Sequence, residues 1–180
     1  MSRTYFPPKL VLPVSARDHV RGPGHARVTM VEYADYECPY CGMANPIVDK
    51  IRRELGDKLR FVYRNFPLTE VHPHAEHAAE IAEAAGAHGK FWEMHDMLYE
   101  NQPALEDPSL AEYASLVGLP AAEIKRALAQ HAYVERVRED FLSGVRSGVN
   151  GTPTFFINGV RHDGGYDYES LMGAIAEAAR

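Results

Sequence analysis

The chain has 180 residues, 46% hydrophobic and 24% charged, with a net charge of −6 at pH 7, a size and balance that suit one well-buried domain with room for an insertion. The acidic surplus excludes an electrostatic nucleic-acid or anionic-membrane surface, because nothing in it would draw in phosphate, and no run of about 18 apolar residues exists to span a bilayer. From Met1 to Pro8 there is a basic residue but no continuous apolar segment and no small-residue cleavage site, so no secretory signal is read and a cytoplasmic setting is expected, or an exported one if a leader has been removed.

In chain order, residues 1–26 carry Pro7, Pro8, Pro13 and Gly22-Pro23-Gly24, which is turn and loop chemistry and predicts a lead-in arm. Arg27 to Tyr33 mixes β-branched and aromatic residues and predicts the first central strand. After Cys38 the period changes: Met43, Pro46, Ile47, Ile51 and Leu55 recur at helical spacing, predicting a helix from Pro39 to Gly56 with these residues on its apolar face. Leu59 to Phe66 reads as a second strand ended by Pro67. From Pro73 to about Gly148 the chain is rich in Ala, Glu, Leu and His. Ala75, Ala78, Ala79, Ala82 and Ala85 predict a close-packed helix, Phe91, Met94, Met97 and Leu98 another, and three more follow over 110–117, 121–130 and 133–144. No fixed period marks this block as a repeat array. Thr154 to Ile157 is a strand, Asn158-Gly159 a hairpin turn, Val160 to His162 its partner strand, and Tyr168 to Arg180 a closing helix. A helix between the first two strands favours a parallel crossover, whereas Asn158-Gly159 makes the last two antiparallel. The expected fold is therefore α/β: a mixed four-stranded sheet with helices on both faces. Its domains are a proline-rich arm over 1–26, a core over 27–72 and 148–180, and an all-helical insertion over 73–147.

Cys38 and Cys41 are the only cysteines. Two cysteines cannot staple a fold of this size, and an adjacent pair in a reducing compartment points to catalysis or metal binding. Only a thiolate attacks a disulfide sulfur, so one of them must be acidic and accessible. Cys38, at a helix N-terminus, faces unpaired N–H groups and the positive end of the helix dipole, while Cys41 lies one turn further in, more buried and suited to resolving a mixed disulfide. A zinc site needs four ligands and there is no second cysteine pair; His72, His74 and His77 follow the second strand and belong to the helical block, so no metal site is expected. Glu32 stands mid-strand, its side chain opposite to those of Val31 and Tyr33, with either a buried or a solvated setting open to it. Asp35 and Glu37, as loop residues, are expected to be solvated. Phe91, Trp92, Met94, Met97 and Tyr99 read as core, and His95 as a packing residue.

Cys38-Pro39-Tyr40-Cys41 after the first strand, the helical insertion, and Gly151-Thr152-Pro153-Thr154 followed by Phe155-Phe156-Ile157-Asn158-Gly159 together resemble the DsbA-like branch of the thioredoxin fold, over roughly residues 27–180. The resemblance implies a thiol–disulfide oxidoreductase acting on cysteines of proteins or peptides. Cys38 is then the nucleophile, Cys41 the resolving thiol and Glu32 a buried acid that moves a proton for Cys41. Pro153 is implied to be cis and to face the cysteine pair, and Pro39, Tyr40, Thr152 and Pro153 to contact substrate. Tyr36 and Tyr40 are candidates for an exposed peptide-binding surface. No cofactor is implied, and the expected partners are protein or peptide thiols and disulfides together with a redox partner of unidentified nature, without nucleic acid or membrane. A monomer is expected, and the resemblance disfavours isomerase activity because no separate dimerisation segment precedes the first strand. DsbA itself has histidine at the position of Tyr40, and Cys-Pro-Tyr-Cys is similar to the motif of glutaredoxins. Tyrosine brings no positive charge, so Cys38 is expected to be less acidic than the DsbA value of about 3.5 and the protein a weaker oxidant. Two other readings are a kappa-type glutathione-transferase-like enzyme, which the retention of Cys41 disfavours, and a non-catalytic redox module regulating a transporter.

Overall fold

A computed structural model describes residues 7–180; residues 1–6 of the expected arm lie outside the described residues. The elements in order are β1 (His19–Arg21), β2 (Val28–Ala34), α1 (Pro39–Leu55), β3 (Leu59–Asn65), α2 (Ala75–Ala87), α3 (Phe91–Glu100), α4 (Asp107–Leu116), α5 (Ala121–Ala129), α6 (Val134–Arg146), β4 (Thr154–Ile157), β5 (Val160–Arg161) and α7 (Tyr168–Ala178).

The strands form one sheet of five in the order β1-β3-β2-β4-β5. β2 and β3 are parallel, joined through α1, and β4 runs antiparallel to β2. Asn158 and Gly159 both have positive φ, 47° and 79°, as a two-residue type I′ hairpin between β4 and β5 requires. The fifth strand corrects the expectation of four. Within the arm, His19-Val20-Arg21 pairs antiparallel with the outer edge of β3. Three residues between Asp18 and Gly22-Pro23-Gly24 are too few to show alternation. A tertiary contact fixes them instead: fully buried Arg64 donates to Asp18 at 2.8 Å, to the Leu12 carbonyl at 2.9 Å and to the Tyr33 hydroxyl at 2.8 Å. Burial would raise the Asp18 pKa, but the Arg64 hydrogen bond and charge hold it below the ordinary value.

Alternation along β2 divides the interior. Val31 and Tyr33 face a cluster with Val62, Phe66, Val149 and Phe156, against which Phe141 of α6 packs. Val28, Met30 and Ala34 face the larger cluster, which continues through Cys41, Val48 and Ile51 of α1 into Ala78, Ile81, Leu110, Ile124 and Leu128 of the helical block. Glu32 lies on this second face. The helical block therefore shares its core with the sheet. The phase of α1 also differs from the reading: Cys41, Ala44, Val48 and Ile51 are buried, and Met43 is 49% exposed. Placing Cys41 inside rotates Met43 and Pro46 to the surface.

Candidate active site

β2 ends at Ala34, and four residues carry the chain to the start of α1. Asp35 turns it: Oδ1 accepts from the backbone N–H of Glu37 at 2.8 Å, an Asx turn. Its Oδ2 accepts from Leu68 N–H and meets His72 Nδ1, both at 2.8 Å. Asp35 is thus buried rather than solvated, because three donors converge on it. Glu37 is likewise engaged, accepting from the backbone N–H of His74 at 2.7 Å. Tyr36 is buried too, its hydroxyl 3.1 Å from His95 Nδ1 and its ring stacked on Tyr63. It belongs to an aromatic core and not to a peptide-binding surface. Burial pushes His95 well below its ordinary pKa, so the ring is neutral and serves in packing.

Cys38 is the N-cap residue of α1, with Pro39 in the first turn. Its backbone carbonyl and that of Tyr36 both accept from the Gln102 side-chain amide, at 3.0 and 2.7 Å. The sequence reading missed Gln102, which follows α3 in an irregular turn where no periodicity singles it out. Gly42 has no side chain for a related reason: a Cβ there would collide with the Gln102 amide.

Cys38 is only 3% exposed, which corrects the expectation of an accessible thiol, because the Thr152 carbonyl lies against its sulfur; Cys41 is fully buried, and both are free thiols. The Cys38 pKa falls from 9.0 to about 5, chiefly because the Cys41 thiol donates to the Cys38 thiolate. Burial opposes this, and the Thr152 hydroxyl and the backbone N–H groups of Cys41 and Tyr40 assist it. Burial together with the thiolate of Cys38 and the charge of Glu32 pushes Cys41 well above its ordinary value. One thiol of the pair is thus ready to ionise and its neighbour holds its proton.

Thr152 and Pro153, joined by a cis peptide bond, close over Cys38 from the start of β4. The Cys38 Sγ–H donates to the Thr152 carbonyl at 3.5 Å. Thr152 Oγ1 is buried without a hydrogen-bond partner. When Cys38 is a thiolate, the sulfur becomes an acceptor and this hydroxyl gains a place to donate. Behind the pair, Glu32 is 3% exposed. Burial, with a smaller contribution from the charge of Asp49, raises its pKa from 4.5 to about 8. On the first turns of α1, Tyr40 is 58% and Met43 49% exposed, apolar surface within five residues of Cys38 in the sequence. Among the predicted site residues, Cys38, Cys41, Thr152 and Pro153 meet at one end of the sheet, with Glu32 behind them and Tyr40 in front.

A family profile described as thioredoxin matches residues 15–177. Curated relatives include a protein named Na(+)/H(+) antiporter NhaA 1 from Salinispora arenicola, 48% identical over 170 residues that make up 94% of this chain and 26% of that protein. Another is Na(+)/H(+) antiporter NhaA from Herminiimonas arsenicoxydans, 43% identical over 91% of this chain and 26% of that protein. The chain spans about a quarter of the length of these relatives. Among solved structures, BdbD from Bacillus subtilis superposes with a TM-score of 0.82 at 24% identity, covering 97% of this chain and 96% of that one. A thioredoxin-like oxidoreductase from Silicibacter pomeroyi gives 0.80 at 26% identity over 91% and 93%. α-DsbA1 from Wolbachia pipientis gives 0.77 at 21% identity over 94% of each chain. Among the described residues, no helix is long and apolar enough to cross a membrane. The chain belongs to the thioredoxin family and carries the DsbA-like form of its fold.

Proposed function

We propose that the chain is a thiol–disulfide oxidoreductase acting on protein or peptide cysteines through Cys38 and Cys41. The observation that carries this reading is the pair of free thiols at the N-terminus of α1, Cys38 lying against the Thr152 carbonyl and Cys41 buried behind it, a setting that lowers the Cys38 pKa and raises that of Cys41. In the reducing direction the Cys38 thiolate attacks one sulfur of a substrate disulfide. A mixed disulfide forms and the other substrate sulfur leaves as a thiolate. Cys41 then loses its proton and attacks Cys38 Sγ, forming the Cys38–Cys41 disulfide and releasing the second substrate thiolate. Two electrons pass from the dithiol to the substrate, and the reverse sequence oxidises a substrate dithiol. Glu32, buried behind the pair with a pKa of about 8, is the group that takes the Cys41 proton, acting through its ionised form, about a tenth of the population at pH 7. Thr152, Pro153, Pro39 and Tyr40 contact the substrate segment, with Tyr40 and Met43 offering apolar surface.

A Cys38 pKa of about 5 lies between the value of about 3.5 for DsbA and about 7 for thioredoxin. It supports an oxidant weaker than DsbA, with a potential between about −120 and −270 mV. Equilibration of the Cys38–Cys41 couple against glutathione measures it; a potential at either end of that range would refute the intermediate assignment. Cys38→Ser abolishes turnover of a disulfide-bonded peptide on this reading, and retained turnover would remove Cys38 as the nucleophile.

The relatives named as Na(+)/H(+) antiporters favour a second reading, in which the chain is the redox module of a transporter. Wild-type protein inactive toward both reduced and oxidised peptides would favour that reading over the enzyme.

A further inference from the structure

Away from the thiols, α2 and the turn after α5 bring two imidazoles and a carboxylate together. His77 and Glu80 lie one turn apart on α2, His131 follows α5, and one ligand atom of each lies within 4.8 Å of the others. Glu80 is fully buried. Its Oε1 is 3.0 Å from His131 Nδ1, and its Oε2 accepts from the Tyr133 backbone N–H at 3.2 Å. A carboxylate inside an alanine-rich helix interface is expensive unless it is paired, and here both oxygens are oriented toward one turn. That turn holds His131 at φ 48°, in the left-handed region that non-glycine residues enter at some cost. His77 Nδ1 lies 2.6 Å from Asp107 Oδ1 of α4. Beside the cluster is a cleft of about 380 Å³ lined by His77, Asp107, Leu128, His131 and Lys125 among others.

We propose that His77, Glu80 and His131 form a binding site for a divalent transition ion of the Zn²⁺ class, with Asp107 orienting His77. Two imidazole nitrogens and one carboxylate oxygen suit such an ion, whereas Ca²⁺ and Mg²⁺ select oxygen donors. Donors bonded at about 2.0 Å to a tetrahedral ion lie about 3.3 Å apart, close to the 3.0 Å between His131 Nδ1 and Glu80 Oε1. The ion replaces the proton they share. Asp107 holds Nδ1–H of His77 and leaves Nε2 for the metal, the carboxylate–histidine arrangement that fixes ring orientation at metal sites. Tyr133 N–H does the same for Glu80, and a water from the cleft completes the shell. Glu76 and Asp107 add negative charge around His131, against the one positive charge of Lys125 on the cleft wall. The sequence expectation of no metal site counted donors around the cysteines only. His131 lies far from His77 in the sequence, and only the packing of α2 against α5 joins them.

The same residues without an ion form two histidine–carboxylate pairs, and a direct titration separates the two cases. The full chain, oxidised so that Cys38 and Cys41 cannot bind metal, is titrated with Zn²⁺ alone by calorimetry, and its thermal unfolding is followed with and without Zn²⁺. One equivalent binds and raises the unfolding temperature. Affinity falls about tenfold or more in Asp107→Asn and further in His77→Ala and in His131→Asn, which keeps a residue tolerant of positive φ. The His77 and His131 side chains are 30% and 51% exposed, and the amide introduced by His131→Asn can still donate to buried Glu80; circular dichroism checks that each variant is folded before its affinity is read. His88→Ala, which removes a ring paired with Glu123 in the same helical block, leaves binding unchanged. Absence of Zn²⁺ binding, or binding that survives both the His77 and the His131 substitution, overturns the proposal.

Discussion

Glu32→Gln separates what the buried carboxyl does for the fold from what it does for the chemistry. Its pKa is raised from 4.5 to about 8 by burial, so the folded chain keeps a proton that the unfolded chain has lost between those values. That protonation contributes stability that is complete below pH 4.5 and lost as pH rises through about 8. At about 1.4 kcal/mol per pH unit the loss reaches about 3 kcal/mol at pH 7 and about 5 kcal/mol above pH 8. Glutamine has nothing to titrate. The variant is therefore close to wild type near pH 4 and more stable by about 3 kcal/mol at pH 7, with the amide's own desolvation reducing the gain. Urea unfolding of both proteins across this range measures the difference, with the cysteines oxidised so that Cys38 does not contribute. Parallel stability curves for the two proteins between pH 4.5 and 8 would refute a carboxyl held protonated by burial. The same substitution slows resolution of the mixed disulfide by about 10²-fold, the usual scale for losing a positioned base. Stability gained and rate lost in one variant mark a residue retained for function.

Thr152→Val removes a hydroxyl poised to donate to the Cys38 thiolate; hydrogen bonds to charged groups are worth about 1.5–3 kcal/mol, so the thiol pKa rises by about one to two units. Thiolate absorbance of the reduced protein reads this directly, and an unmoved midpoint would mean that the hydroxyl plays no part. Gln102→Ala leaves the Tyr36 and Cys38 carbonyls without their shared donor and lowers stability by about 1–3 kcal/mol in thermal or urea unfolding, with slower exchange; a neutral variant would place the loop under other control. Tyr40→His, whose ring is charged at the pH where Cys38 titrates, brings the Cys38 pKa below about 5 and makes the couple more oxidising by glutathione equilibration. No change in potential would show that Tyr40 does not tune the pair.

The parts of the fold that obey local rules were legible. The strand and helix periods around Cys38, the Asn158-Gly159 turn and the alanine-rich α2 depend on neighbours in sequence, and their boundaries match to within a few residues. Legibility ended where position is set across the fold. β1 forms because Arg64 of a later strand recruits Asp18 beside it. Met43 satisfies helical spacing but lies outside because Cys41 claims the interior. Asp35 looked like a solvated loop acid, yet Leu68 and His72, more than thirty positions away, supply its donors. Its Asx-turn contact with Glu37 was readable in principle, since a short polar side chain after a strand commonly turns the chain this way. Alternation placed Glu32 opposite Val31 and Tyr33 and left its burial open, because burial depends on α1 covering that face.

These same long-range contacts change the role of the helical block. A thiolate at Cys38 is stabilised by the Cys41 thiol first, then by the Thr152 hydroxyl and the N–H groups of the first turn of α1, all donors whose placement on the sulfur tolerates only small displacements. The loop before α1 contains no regular structure to hold it there. The anchors arrive from the segments leading into and through the helical block: His72 on Asp35, the His74 backbone on Glu37, and Gln102 on Tyr36 and Cys38. The aromatic cluster of buried Tyr36, Tyr63 and His95 with half-buried Tyr99 joins the loop and strand to α3. With one apolar core running from the sheet into these helices, loosening the block releases the loop that positions Cys38. The helical segment is thus the frame of the loop that carries Cys38, and the expected outcome of loosening it, by Gln102→Ala for example, is a raised thiol pKa in thiolate absorbance without a change at either sulfur; an unmoved midpoint would refute this.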